Sequence, residues 1–403
     1  MTPAIATLYD TLRSSETFVQ TRTLVRRALR VFALFLLYFA AGLLTLWAAA
    51  ALTLDLTLPT IKHLAGISYA TLILFVASRV SNHFRRFAIC AVGFAAVLTW
   101  WLTLKPSNNR PWQLDVSEAP WAEVDGDKIT IHNFRFCDYR AEFDFSCQWL
   151  TKTVDLSELR GIDLAVSYWG SPYIAHPIVS FQFGDDSYVA TSIETRKEIG
   201  EAYSALAAFF RQYELIYIFS DERDLIRLRT NYRTGEEVYL FHTTAGPQWA
   251  RQLFLQFLEH ANRLRNHPEW YNAVTRNCTT SIFSSMAATG RLPVGTSLYD
   301  WRILLNGRGD EMLYRGGNFA GGLPFPELKE SAHINAAARQ AGQSPEFSRL
   351  IRFGRPGFEF ISASTKLGSK REHSQGGLLR ASSGIRPPCK AHRPGHRVPL
   401  RRL

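Results

Sequence analysis

The sequence predicts an α+β chain in which N-terminal transmembrane helices precede a globular domain made of an antiparallel sheet and packed helices. Three observations predict it. Residues Val31 to Leu52 carry no charge over 22 positions, the length a helix needs to cross the hydrocarbon of a bilayer. Between about 121 and 242 apolar and polar residues alternate around an Asp-Gly turn and a Gly-Asp-Asp turn, the pattern of paired strands. Residues 247–264 then switch to a helical period, with Trp249, Leu253, Phe254, Phe257, Leu258, Ala261 and Leu264 on one face.

The first apolar run follows a basic start at Arg22, Arg26, Arg27 and Arg30. Weaker runs follow over about 64–77 and 87–104, the last ending in Trp100-Trp101, aromatics suited to a membrane interface. Residues 1–30 therefore read as a cytoplasmic N-terminal segment, and 31–104 as a membrane anchor of about three helices. The first run is too long and too far from the start for a cleaved signal peptide. Positive charge sits before it and between the second and third runs, at Arg79, Arg85 and Arg86. Positive charge favours the cytoplasmic side, so residue 105 onward is expected on the opposite side of the membrane.

Residues 105–120 read as a polar, Pro-bearing linker, and 121–350 as the globular domain. Its elements are expected in this order: a hairpin at 121–132, strands at 150–154 and 162–168, and a long hairpin from Ser171 to Glu194 with its tip near Gly184. A helix over 201–211, a strand at 215–219, a short helix after Ser220 and a strand at 237–242 come next. The helix at 247–264 precedes helical stretches near 301–307 and 331–341. From Gly354 the apolar period disappears, and 351–403 reads as a basic, disordered tail.

The formal charge of +11 suggests a nucleic-acid partner only until its distribution is examined. Residues 352–403 account for +10 of it. The rest is nearly neutral, which excludes a basic groove for nucleic acid. Cysteines stand at 90, 137, 147, 278 and 389, with no C-x-x-C pair and no close Cys/His cluster, so no metal site is expected. Outside the cytoplasm Cys137 and Cys147 are able to bridge a short loop, leaving Cys278 as a free thiol.

Cys278 lies in Trp270-Tyr-Asn-Ala-Val-Thr-Arg-Asn-Cys-Thr-Thr-Ser-Ile-Phe283, at the start of an expected helix. There the helix dipole and unpaired backbone N–H groups favour a thiolate. A lone cysteine is more often a small core residue, so the nucleophile reading needs a base, a group that orients the base, and oxyanion donors. His176, at the base of the long hairpin beside Pro177, is the candidate base. His132, His242, His260 and His267 fit packed or surface roles better. A three-residue tip at 184–186 puts Glu194 across from His176; a two-residue tip puts Thr195 there and turns Glu194 to the other face. Both registers are open, and a surface pairing of Glu194 with Arg196 or Lys197 is the competing role. Asn277 is expected to cap the helix or to donate to an oxyanion. The charges from Asp221 to Arg229 read as a solvated, salt-bridged face. The candidate catalytic set is Cys278, His176 and Glu194, with no cofactor and no metal.

The order of a hairpin histidine followed by a later Asn-Cys resembles the circularly permuted, papain-like (NlpC-type) cysteine enzymes. More closely, Ser167-Tyr-Trp-Gly-Ser-Pro-Tyr-Ile-Ala-His176, Ser192-Ile-Glu-Thr-Arg-Lys-Glu198, Ile226-Arg-Leu-Arg-Thr-Asn-Tyr-Arg233 and Asn277-Cys-Thr-Thr280 are similar to the bacterial Lnb N-terminal periplasmic domain family. The resemblance covers most of 95–350. It implies a protein of the bacterial inner membrane with its soluble domain in the periplasm, where Cys278 and His176 act on a lipid-linked envelope substrate such as the acyl chains of a lipoprotein. The bilayer and an envelope or lipoprotein substrate are then the expected partners. A peptidoglycan-directed cysteine amidase or peptidase and a non-catalytic envelope scaffold remain the alternatives. Cys137, Cys147 and the tail have no counterpart in that pattern.

Overall fold

The computed structural model describes residues 3–56, 61–297, 300–304 and 306–359. Helix α1 (Pro3–Asp55) runs without a break through the boundary expected at residue 30 and is followed by α2 (Lys62–Ser78) and α3 (His83–Thr103). Thr21–Asp55 and His83–Thr103 are long and apolar enough to cross a membrane, whereas α2 has 17 residues. The three helices meet through small side chains, among them Ala41, Ala48, Ala51, Ala77 and Cys90. Phe32, Phe35, Leu43, Leu72 and Phe75 point outward. Small residues inside and large apolar ones outside is the arrangement of helices packed in lipid.

The strands are β1 (Trp121–Asp125), β2 (Lys128–Ala141), β3 (Asp144–Asp155), β4 (Leu159–Trp169), β5 (Ala175–Phe183), β6 (Ser187–Arg196), β7 (Glu214–Ser220) and β8 (Glu236–His242). Among the described residues they form one sheet in the order β1-β2-β7-β6-β5-β4-β8, with β3 also on β2. The pairing is antiparallel except between β2 and β7, which run parallel. The β1–β2 hairpin turns at Gly126, in a left-handed conformation (φ +59°) that favours glycine. Between β7 and β8 lies α4 (Glu222–Arg227). Helix α5 (Pro247–Asn266) follows β8, then α6 (Cys278–Ala288), α7 (Trp301–Leu304), α8 (Gly309–Arg315), α9 (Phe325–Ala332), α10 (Asn335–Ala341) and α11 (Phe347–Leu350). Mixed α+β architecture after an apolar N-terminal helix agrees with the class expected. The apolar face of α5 is buried as its period predicts, Phe254 and Phe257 packing edge-on against Phe181 of β5. Helix α6 packs into the same core through Ile282, Phe283 and Met286.

Four expectations change. The helix expected over 201–211 shrinks to one turn at Ala207–Phe209, because tertiary bonds claim the segment. Tyr213 takes the Ser204 N–H at 3.0 Å, and Phe210 is drawn against α1 and α3. The charge run at 221–229 is not solvated: Glu222, Asp224, Arg227 and Arg229 are all buried. Each has a counter-charge across the fold, Glu222 with Arg352, Asp224 with Arg135, Arg227 with Asp138 and Arg229 with Glu194 and Glu236. Paired and hydrogen-bonded burial of this kind offsets the cost of desolvation. The linker docks: Trp112 is buried and Arg110 bonds Glu198 at 2.8 Å and Glu214 at 3.0 Å. Finally, packing continues past residue 350, since Ile351, Arg352 and Phe358 are fully buried. Arg352 sits between Asp163 (2.7 Å) and Glu222 (2.5 Å). The remainder of the expected tail, 360–403, lies outside the described residues.

Cys137 and Cys147 stand directly opposite one another on β2 and β3 and form a disulfide. Among the described residues Cys90 and Cys278 are free.

Candidate active site

Helix α6 begins at Cys278 because Asn277 caps it. The Asn277 side-chain oxygen accepts from the Thr280 N–H, and the Thr280 hydroxyl accepts from the Asn277 N–H, both at 2.8 Å. This reciprocal box fixes the first turn. The Asn277 amide is spent on the Ala273 carbonyl at 2.7 Å, so of its two expected roles the structure gives it the cap. Cys278 is held at the first helical position, its side chain buried in the cluster that contains Tyr271 and Ile282.

His176 lies on β5. Strands β5 and β6 pair Phe183 with Ser187 and Ile178 with Ser192, which makes the tip three residues long, with Gly184 at φ +61°. Continuing that register sets Glu194 across from His176. Nε2 of His176 is 3.2 Å from Oε1 of Glu194. Ser192, on the same face two residues earlier, lies between them: its Oγ is 2.6 Å from Nε2 and donates its own proton to Oε1 at 2.6 Å. Glu194 does not pair with Arg196 or Lys197. Its oxygen accepts instead from Arg229 at 2.9 Å, and Arg229 reaches on to Glu236 at 3.3 Å. Glu236 in turn accepts from Ser167 at 2.6 Å and Arg233 at 3.0 Å.

The His176 imidazole faces the Cys278 thiol closely enough for each to shift the other's ionisation. Burial alone would drive His176 neutral, but the Glu194 carboxylate and the facing thiolate outweigh it and lift the imidazole to about 9. Burial likewise pushes the thiol up; His176, by its charge and its hydrogen bond, reverses this and leaves Cys278 below the ordinary thiol value. Glu194, desolvated yet facing both His176 and Arg229, is held well below the usual carboxylate range. Each shift favours the charged form, so the site favours a thiolate–imidazolium–carboxylate line.

Two further side chains meet the thiol. Asn306 donates to the Cys278 sulfur at 3.9 Å and to the Thr279 hydroxyl at 2.9 Å, while its oxygen accepts from the Ala175 N–H at 2.8 Å. It thus ties the helix start to the strand beside His176. The Tyr271 hydroxyl meets the Cys278 backbone N–H; burial and the thiolate push its ionisation well above 10, so it remains a phenol. The sequence brought Cys278, His176 and Glu194 into view, and the fold places them together. Ser192, Arg229, Tyr271 and Asn306 were missed as site residues. Ser192 shares a strand face with Glu194 at spacing two, a usable signal; Arg229 and Asn306 reach the site only through the fold. Among the described residues no group of three His, Cys, Asp or Glu is placed to hold a metal ion.

Fold and site together define an α+β domain with a buried cysteine at a helix start facing a histidine on a sheet hairpin, preceded by apolar helices. Residues 145–307 match the family model of the Lnb N-terminal periplasmic domain, the family that the sequence motifs resemble. The matched stretch includes His176, Glu194, Arg229, Tyr271, Cys278 and Asn306. The match marks an envelope-associated protein with a periplasmic domain, and the apolar helices ahead of it fit a membrane anchor. No curated protein and no solved structure matches the chain.

Proposed function

We propose that the protein is a membrane-anchored periplasmic cysteine acyltransferase or hydrolase, of permuted papain-like design, acting on a lipid-linked envelope substrate. The single observation behind this is the Cys278–His176–Glu194 line, with the thiol favoured as thiolate and the imidazole held charged to about pH 9. The papain-like reading is supported by a nucleophile at a helix N-terminus packed on an antiparallel sheet whose hairpin bears the base. The base precedes the nucleophile in the chain, as a permuted order requires.

In this reading the Cys278 thiolate attacks the carbonyl carbon of an acyl ester. The Tyr271 hydroxyl, which accepts from the Cys278 N–H, donates its own proton to the oxyanion that forms. As the intermediate collapses, the C–O bond to the leaving group breaks and the imidazolium of His176 gives that alkoxide a proton, leaving a thioester on Cys278. An amine or a water molecule then gives its proton to the neutral His176, attacks the thioester and releases the thiolate. Nε2 is engaged by Ser192 and Glu194, so Nδ1 is the nitrogen left to meet the sulfur. Ser192, Glu194 and the thiolate together fix that ring, and the reaction needs no cofactor.

The test compares the acyl pattern of envelope lipoproteins, by mass analysis of their N-terminal peptides, in a deletion strain carrying the wild-type chain or Cys278→Ala. The reading expects the wild type alone to restore the pattern. If both restore it, the thiol is not the nucleophile; if peptidoglycan stem peptides change instead, the substrate is a peptide and not an acyl chain.

A further inference from the structure

The segment between β6 and β7 leaves large apolar side chains facing outward. Ile199, Tyr203, Leu206 and Phe209 are exposed, Leu206 by 61% and Phe209 by 51%, and Val274 is exposed next to them on the segment that leads to Cys278. The segment is well held. The Glu201 carboxylate accepts from the Glu198 N–H at 2.8 Å and from Gln212, and Tyr213 donates to the Ala202 carbonyl at 2.7 Å. Ala208 and Phe209 offer their carbonyls to Ala273 and Asn272 at 2.7 and 3.4 Å. A rigid lip that exposes a run of apolar side chains calls for an apolar occupant.

Its attachment identifies that occupant. Phe210, the next residue, is buried among Trp47, Ala48, Ala51 and Val97 of α1 and α3, its ring 5.8 Å from that of Trp47. Trp47 lies eight residues before the end of α1, about 12 Å along the helix axis. The lip therefore lies beside the last turns of the apolar helices, at their depth. Arg211 secures it there: its N–H meets Asp55 at 3.2 Å, its guanidinium donates to the Trp101 and Leu104 carbonyls at 2.7 and 2.8 Å, and it stacks over the Trp101 ring at 4.1 Å. The same segment borders the thiol: the ionisation of Tyr203 is raised first by burial and then by the charges of Cys278 and Glu194.

We propose that Ile199, Leu206, Phe209 and Val274 form a second membrane contact, made by the soluble domain itself and seated among the acyl chains of the leaflet where α1 and α3 end. It rests on the reading that those helices span a bilayer. An acyl substrate then approaches Cys278 sideways from the leaflet without crossing water.

The experiment places an NBD fluorophore at Leu206→Cys, Phe209→Cys or Ile199→Cys in the full chain, on a Cys90→Ala, Cys278→Ala, Cys389→Ala background that keeps the Cys137–Cys147 disulfide, in phosphatidylcholine–phosphatidylglycerol nanodiscs. Phe143→Cys is the reference: Phe143 is 89% exposed, beyond the end of β2. Strand β2 runs parallel to β7, whose first residue, Glu214, bonds the linker at Ser107, so Phe143 lies at the far end of the sheet. The proposal expects doxyl-labelled lipids to quench the three lip positions several-fold more than position 143, with blue-shifted emission. Quenching at the level of position 143 overturns it. So does emission shielded from both lipid and aqueous quenchers, which would show a protein partner on the lip. All three positions are exposed, so labelling leaves the core intact. The measurement needs no turnover, so failure of the acyl chemistry would leave its outcome unchanged.

Discussion

Glu194 holds His176 from across the β5–β6 hairpin, Oε1 to Nε2 at 3.2 Å, while Arg229 grips the same carboxylate oxygen at 2.9 Å. One acid therefore balances two cations, and the imidazole is lifted to about 9. A folded value above the ordinary 6.5 means that this charge stabilises the fold fully below about 6.5 and that the contribution is lost as pH rises through about 9. Activity carried by a thiolate–imidazolium pair should fall on an alkaline limb near pH 9. Glu194→Gln should move that limb to lower pH and lower kcat on the order of 10²-fold. A kcat–pH profile of both forms checks this; an unmoved limb would dissociate Glu194 from the base.

Tyr271 meets the Cys278 N–H where an oxyanion would form. Tyr271→Phe keeps the ring and removes the donor, so kcat should fall by roughly 10²-fold with KM little changed, as for loss of one oxyanion donor. Steady-state kinetics on an acyl ester separates the two parameters. A change in KM alone would assign the hydroxyl to substrate binding.

Arg229 is the counter-charge of both Glu194 and Glu236. Arg229→Met leaves two carboxylates without it and should destabilise the domain by on the order of 3 kcal/mol. The loss should be larger at pH 8 than at pH 5, because protonating the carboxylates removes the uncompensated charge. Denaturant midpoints at the two pH values measure it.

The Cys137–Cys147 bridge closes a short loop between β2 and β3, across the sheet from the hairpin that bears His176. Cys137→Ser with Cys147→Ser should lower stability by about 2–3 kcal/mol and leave the alkylation rate of Cys278 unchanged. Denaturation and iodoacetamide kinetics on the double variant test both parts.

The sequence made local features legible and long-range pairings much less so. The capped start of α6, the Gly184 turn and the apolar face of α5 each depend on residues within a few positions, and each was read correctly. The charges at 221–229 looked like a solvated face because sequence does not show which distant partner neutralises a buried ion. Arg352 pairs with Glu222 from 130 positions away. Arg229 was lost to the site for the same reason. The segment 201–211 has helix-forming residues, yet Phe210 and Arg211 gain more from the ends of α1 and α3 than a helix would offer. The register that joined Glu194 to His176 could be posed from the numbering but was decided only by the three-residue tip.

The proposed chemistry requires Cys278 to take up an acyl chain covalently. Intact mass spectrometry of the full chain, quenched in acid after incubation with bilayer phospholipid, tests it most directly. A mass increase of one fatty acyl group, released by neutral hydroxylamine, mapped to Cys278 and absent from Cys278→Ala, is the predicted result. An unmodified thiol in the wild type, under conditions where Cys278 reacts readily with iodoacetamide, would contradict it.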